Sequence, residues 1–318
     1  MTGRYSKCGR AGRRFSAVLR FPLALVPPGL LLAVPVHGAA TDGARPPAVP
    51  TVHPAAPGAK ALKDRSDFIL IGDAQQGSVM RGTVPLHTVR LSFDGDDIPF
   101  ATDGAFLIAF DRDAAKEAVL KAELSDSGVI ERTLTVAPGH WRLQHVNADY
   151  RAGVPREEFL KRRAVELEKI KAARAVHVQS DGWKQSFRWP LTGRITGVFG
   201  SQRIYRGKPG SYHGGVDIAA RPGTPIRAPA DGVVVLAAQQ PFTLEGHLLI
   251  VDHGMGLNSA FLHCSSLAVK VGDIVRQGQV IGTVGSSGRA TGPHLHWGMK
   301  WNAARIDPVR VAGPMPQK

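Results

Sequence analysis

The feature that most constrains the fold is the punctuation of residues 185–318. Glycines recur every few residues between short β-prone runs: GVVVL at 232–236, HLLIV at 247–251, QVIGTV at 279–284 and HLHW at 294–297. Runs of four to six such residues between turn formers are too short for helices and suit strands joined by tight turns. Residues 185–318 therefore read as an antiparallel β domain, with no competing helical pattern.

The chain upstream divides into further parts. Residues 65–150 carry alternating runs, VRLSF at 89–93 and AFLIAF at 105–110. Turn signals at Asp94-Gly95, Asp103-Gly104, Ser127-Gly128 and Pro138-Gly139 separate them. That spacing predicts an antiparallel β-sandwich of about six or seven strands. Between the two β domains, at 151–184, lies a helical connector, with the helix itself over 155–177. Pro155 suits its first turn and Glu157 and Glu158 its positive N-terminal end. Leu160, Ala164, Leu167 and Ile170 recur at three- and four-residue steps, which predicts one apolar face on a semi-rigid spacer. The fold class is thus mainly β.

The N-terminus reads as an address. Residues 1–40 hold six basic side chains and no acidic one, then a mostly apolar stretch from Phe21 to Val36, then small residues ending at Ala40. This is the pattern of a secretory signal cleaved near Ala40. Pro22, Pro27, Pro28 and Pro35 argue against a stable spanning helix, although an uncleaved anchor is the alternative. Residues 41–64, rich in Pro and Ala, read as a flexible linker. The net charge of +14 comes partly from the signal, because removing six of the 40 basic residues leaves 34 against 26 acidic. The remainder still favours an anionic partner. Of the two cysteines, Cys8 leaves with the signal and Cys264 stays, so no internal disulfide forms. No run of about 18 uninterrupted apolar residues exists, which excludes a multispanning membrane protein.

The chemistry concentrates in the last domain, at His213-Gly-Gly-Val-Asp217, Phe261-Leu-His263 and His294-Leu-His296. On a strand His294 and His296 project to the same side, about 6–7 Å apart. Such a pair shares a site, one imidazole binding a metal and the other working beside it. His213 and Asp217 would lie about 13 Å apart on a straight strand, too far to share an ion. Gly214-Gly215 lets the backbone fold back so that both converge. Two imidazoles and a carboxylate suit Zn²⁺, and three protein ligands leave the fourth position of a catalytic site for water.

Residues 190–308 resemble the lysostaphin/LytM-type zinc endopeptidases of bacterial cell walls. The likeness rests on His213-Gly-Gly-Val-Asp-Ile218, on GTPIRAPADGV at 223–233, on Val251-Asp-His-Gly254 and on Phe261-Leu-His263. It continues through VGDIVRQG at 271–278 and GSSGRATGPHLH at 285–296. The region upstream is similar, more loosely, to that of exported Gram-negative members. The resemblance implies that His213, Asp217 and His296 hold one zinc ion. It further implies that His263 and His294 are catalytic, stabilising the oxyanion and assisting proton transfer, with acid and base unassigned. It implies a periplasmic peptidoglycan substrate and leaves room for a regulatory protein partner. The family often carries Tyr where Phe261 stands, and loss of a substrate-holding hydroxyl there would lower activity.

Three other classes compete. A non-enzymatic wall-binding or amidase-activating module of this fold would have lost ligands, and all five residues are present here. A lipoyl-like carrier would share the hairpin at 271–280 but needs a lysine at its tip, which is missing. A nucleic-acid binder would explain the charge, yet no binding motif supports it.

Overall fold

The computed structural model describes residues 66–149 and 156–316. The expected signal at 1–40, the linker at 41–64 and Pro155 lie outside the described residues. Among the described residues, no helix is long and apolar enough to cross a membrane.

Eight strands precede the helix: β1 (Ile69–Ile71), β2 (Val79–Thr83), β3 (Thr88–Phe93), β4 (Asp96–Asp97), β5 (Ala105–Ala109), β6 (Glu117–Leu124), β7 (Val129–Thr135) and β8 (Leu143–Val146). The first seven form two antiparallel sheets, β1-β2-β5 and β4-β3-β6-β7. Period-two alternation explains their inner faces: Ala118, Leu120 and Ala122 of β6 are buried, and Phe106 and Ile108 of β5 meet the same core. The eighth strand departs from this scheme. It pairs in parallel with residues 202–205 of the C-terminal half, Leu143 to Val146 against Gln202 to Tyr205.

The helix α1 (Glu157–Arg174) forms where the charge pattern placed it, but it buries a different face. Leu160 and Leu167 are exposed, whereas Glu166 and Ala173 are buried. The reason is polar. Both Glu166 carboxylate contacts reach the C-terminal half through one oxygen, which accepts from the Thr243 backbone N–H and hydroxyl, each at 2.7 Å. Arg163 makes a two-pronged pair with Glu245 at 2.6 and 2.7 Å. The helix is thus docked along the C-terminal half and is not a free-standing spacer.

Twelve strands follow: β9 (Arg194–Gly197), β10 (Gln202–Tyr205), β11 (Lys208–Pro209), β12 (Val216–Ala219), β13 (Pro225–Arg227), β14 (Gly232–Ala237), β15 (His247–Asp252), β16 (Leu257–Leu267), β17 (Ile274–Val275), β18 (Val280–Val284), β19 (His294–Trp301) and β20 (Ala304–Ile306). A short helix, α2 (Pro308–Ala312), closes the described chain, capped by the Asp307 carboxylate. The spine of the large sheet runs β17-β14-β15-β16-β19-β12-β9, with neighbours antiparallel. Its inner face buries Leu249, Val251, Phe261, Leu295 and Trp297.

The two halves share one apolar core, which runs from Phe68 to Ile306. Phe93 meets Trp301 edge-on at 5.9 Å. The buried Arg112 reaches across, donating to the Gly200 carbonyl at 3.1 and 3.2 Å and to Gln202 at 2.9 Å. Its guanidinium lies 4.7 Å from the Tyr212 ring, one residue before His213.

Candidate metal centre

Asp217 on β12 and His296 on β19 are direct cross-strand partners in the antiparallel ladder. That register places their side chains on one face, within reach of each other. His213 comes from the loop ahead of β12. Its Nδ1–H donates to the Val198 carbonyl at 3.1 Å, which leaves Nε2 as the lone-pair atom facing the site. The three ligand atoms converge: His213 Nε2 to Asp217 Oδ1 is 3.0 Å, His213 Nε2 to His296 Nδ1 is 3.0 Å, and His296 Nδ1 to Asp217 Oδ1 is 2.8 Å.

Gly215 lies at a bend between His213 and Asp217. Neither Gly214 nor Gly215 adopts a left-handed conformation. What Gly215 supplies is room, since a Cβ there would lie 2.4 Å from the Trp297 carbonyl oxygen and 2.8 Å from His296 Nε2. Gly215→Ala is therefore expected to push β12 away from β19 and destabilise the fold by about 1–3 kcal/mol. Paired thermal melts and zinc titrations would check this. An unchanged melting point with unchanged zinc affinity would refute it.

The electrostatics suit a cation. Burial alone would raise the Asp217 carboxyl, but hydrogen bonds from His213 and His296 hold it well below the usual carboxylate range. Burial pulls His213 down, and the bond to and charge of Asp217 more than restore it, so its net direction is up. His296 goes down, through burial first and despite its bond to Asp217. It is neutral at physiological pH, as a ligating imidazole must be. Two imidazole nitrogens and an ionised carboxylate oxygen thus meet at one point, a donor set that fits zinc.

His263 and His294 stand beside this triad. Their ring centres are 4.8 Å apart, and His263 lies 6.3 Å from His296. Each ring is fixed by a backbone carbonyl, His263 Nδ1–H donating to Ser287 at 2.8 Å and His294 Nδ1–H to Gly292 at 2.8 Å. Nε2 of His294 sits 3.8 Å from Asp217 Oδ1. His263 is not on a regular strand. β16 pairs β19 up to Leu262 and β18 from Cys264, and His263 between them has a φ of 65°. A left-handed histidine costs conformational energy, the kind of strain that accumulates at working sites. Burial pushes its imidazole below the usual value.

Several sequence expectations are settled by position. Phe261 is fully buried against the core. A tyrosine there would place its hydroxyl among apolar side chains and not in the cleft, so the expected cost of lacking it has no basis. Cys264 is buried and its thiol is pushed up to about 12 by burial. His253 is held between the Asp231 carbonyl at 2.8 Å and Ser259 Oγ at 2.9 Å, and burial lowers it to about 4. Trp183 and Trp301 are buried, and Trp189 packs edge-on against Trp297 at 5.6 Å.

Sequence reasoning missed three residues. Tyr212 and Arg289 line the cleft, a cavity of about 490 Å³ that includes all five site residues. Ser287 holds the cleft wall. Its carbonyl accepts from His263, while its hydroxyl donates to the Cys264 carbonyl at 2.7 Å and accepts from the His247 N–H at 2.9 Å. The adjacency of Tyr212 to His213 was a usable signal. For Ser287 there was none, because its partners lie at least 23 residues away.

The site and the glycine-rich β domain around it define a class. Residues 211–308 match the family described as Peptidase family M23, so the chain carries a domain similar to that family. Two similar proteins carry endopeptidase names. The DD-carboxypeptidase/endopeptidase Mpg of Neisseria meningitidis serogroup B is 42% identical over 105 residues, which is 33% of this chain and 24% of that protein. The peptidoglycan DD-endopeptidase ShyA of Vibrio cholerae is 34% identical over 139 residues, 42% of this chain and 32% of that protein. The chain thus spans about a quarter to a third of the length of these curated relatives. A solved chain from Pseudomonas aeruginosa, assigned to peptidase M23, is 28% identical with a TM-score of 0.58, covering 76% of this chain and 96% of that one.

Proposed function

We propose that this chain is a zinc-dependent endopeptidase that hydrolyses peptide cross-links or stem peptides of peptidoglycan. The observation that carries the reading is the convergence of His213, Asp217 and His296 within 2.8–3.0 Å of one another, with His263 and His294 turned into the same cleft. Held by those three ligands, zinc supplies Lewis acidity toward a peptide carbonyl and lowers the pKa of a water toward neutrality.

The remaining work falls to the chain itself. Both His263 and His294 keep Nε2 free, because a backbone carbonyl holds each Nδ1–H. His263, held below the usual imidazole range, is unprotonated at neutral pH and takes a proton from the attacking water. His294, whose Nε2 lies 3.8 Å from Asp217 Oδ1, stabilises the negative charge developing on the carbonyl oxygen.

Residues 65–150 are proposed as an N-terminal β domain, 151–184 as its connector and 185–318 as the peptidase domain. The signal at 1–40 delivers the chain to the periplasm, where this substrate lies. The alternative is a wall-binding or amidase-activating module of the same fold.

The test is digestion of purified sacculi by residues 41–318, with and without a zinc chelator, read by mass spectrometry of released fragments. Chelator-sensitive loss of cross-linked dimers is the expected result and names the bond. Bound zinc with no release, at any enzyme concentration, would favour the alternative.

A further inference from the structure

Next to the metal triad lies a second cavity, of about 340 Å³, with an unusual charge balance. It shares Tyr212, Glu245, Leu262, His296 and Arg305 with the catalytic cleft, so the two spaces are continuous. Four cations line it: Arg163 is paired with Glu245, and the other three are Arg174 from the end of α1, Lys300 from β19 and Arg305 from β20. None of the three has an ion pair among the described residues. The Nε of Arg174 is buried with no hydrogen-bond partner, which is costly for a charged donor. Lys300 is half-buried and makes no side-chain hydrogen bond among the described residues. Arg305 stands at the mouth, 5.2 Å from the Tyr212 ring.

The nearby carboxylates are engaged elsewhere. Glu245 is held by Arg163 through both oxygens. Asp111 accepts from the backbone N–H groups of Arg305 at 2.8 Å and Asp113 at 3.2 Å. Glu245 offsets the repulsion at Arg174, and Asp111 that at Lys300, only in part. Burial, then the charges of Arg174 and Arg305, pull Lys300 down to about 8. Burial and Arg305 pull Arg174 down to about 10. A fold that gathers two partly buried cations, Arg174 and Lys300, beside an exposed third gives up stability, which is the mark of a site awaiting an anion.

Its position says which anion. Lys300 is four residues beyond His296 on β19, on the same face and about 13 Å along the strand. Gly298 between them leaves the floor of the groove without a side chain. The walls near the cations are aliphatic, from Ile170 and Leu262.

We propose that Arg174, Lys300 and Arg305 form an anionic subsite that receives a free carboxylate of the peptide whose backbone lies across the metal centre. This rests on the peptidase reading and adds to it a substrate class: peptides with an aliphatic arm ending in a carboxylate.

The experiment is calorimetric binding to the full chain of two probes, a peptidoglycan stem tetrapeptide with free carboxylates and its fully amidated counterpart. The wild type is expected to prefer the carboxylate form about tenfold or more, as charge-assisted bonds require. Lys300→Met and the exposed Arg305→Gln should each reduce that preference at least threefold and leave affinity for the amidated form unchanged. Neither should melt at a lower temperature, since each removes a repelling charge. Equal affinity of the wild type for both peptides would overturn the proposal, as would a preference that survives both substitutions. Inorganic phosphate forms a third arm. Phosphate binding without a carboxylate preference would mark the pocket as a free-anion site and overturn the proposal too. Binding is read without turnover. A carboxylate preference in a protein that never cleaves sacculi would therefore sink the peptidase reading and keep the subsite, and cleavage without preference would do the reverse.

Discussion

Replacing His213, Asp217 or His296 by alanine is expected to abolish zinc binding and peptidoglycan cleavage together. Each supplies one of three atoms packed within 2.8–3.0 Å of one another. With one ligand gone, two remain, fewer than a catalytic zinc centre uses. Activity should fall to background, and the zinc content of purified protein, measured by inductively coupled plasma mass spectrometry, should fall below about a tenth of the wild type. Asp217→Ala carries a second signature. Its carboxylate is what raises His213, so without it the His213 imidazole should titrate at lower pH, visible by NMR of the metal-free protein. Near-normal zinc in all three variants would remove the ligand assignment.

His263→Ala and His294→Ala should behave in the opposite way, keeping zinc and losing rate. A positioned acid or base contributes about 10²–10⁴-fold, and that is the expected loss in kcat for each. The pH profile separates them from structural residues. Burial holds His263 below its ordinary value of 6.5, and a base works only when unprotonated. The acid limb of the wild-type rate should therefore lie below pH 6.5, with activity retained as pH rises through that point. In His263→Ala the limb should vanish along with the rate. Wild-type turnover in either variant would end the catalytic role given to that residue.

Much of the site was readable because its spacing carries geometry. Two histidines separated by one residue on a strand must share a face, and β19 shows that arrangement with Leu295 and Trp297 turned into the core. Likewise, the glycine-punctuated runs of 185–318 announced an antiparallel sheet. The helix was legible in extent but not in orientation. Periodicity assumes that apolar residues go inside, whereas α1 is docked by Glu166 and by Arg163, whose partner Glu245 is 82 residues away. A long-range ion pair leaves no mark in local pattern. The bulge at His263 was hidden for a related reason. It arises where β16 changes partners from β19 to β18, and strand exchange depends on sheet topology. Phe261 illustrates the hazard of reasoning by analogy of residue type, because the same position read as a lost substrate contact turns out to be a core side chain.

The eighth strand bears on how such a protein can be cut and recombined. Leu143 to Val146 complete the edge beside β10, and Arg112 is plugged into the backbone at Gly200. A C-terminal half excised at residue 185 would leave that backbone edge unpaired and an aromatic surface around Phe199 uncovered, both invitations to self-association. The part before the helix is therefore less an attachment than a missing wall. Modular shuffling of the C-terminal half between proteins would have to carry residues 66–149 along, or evolve a replacement edge, before the separated half could remain monomeric.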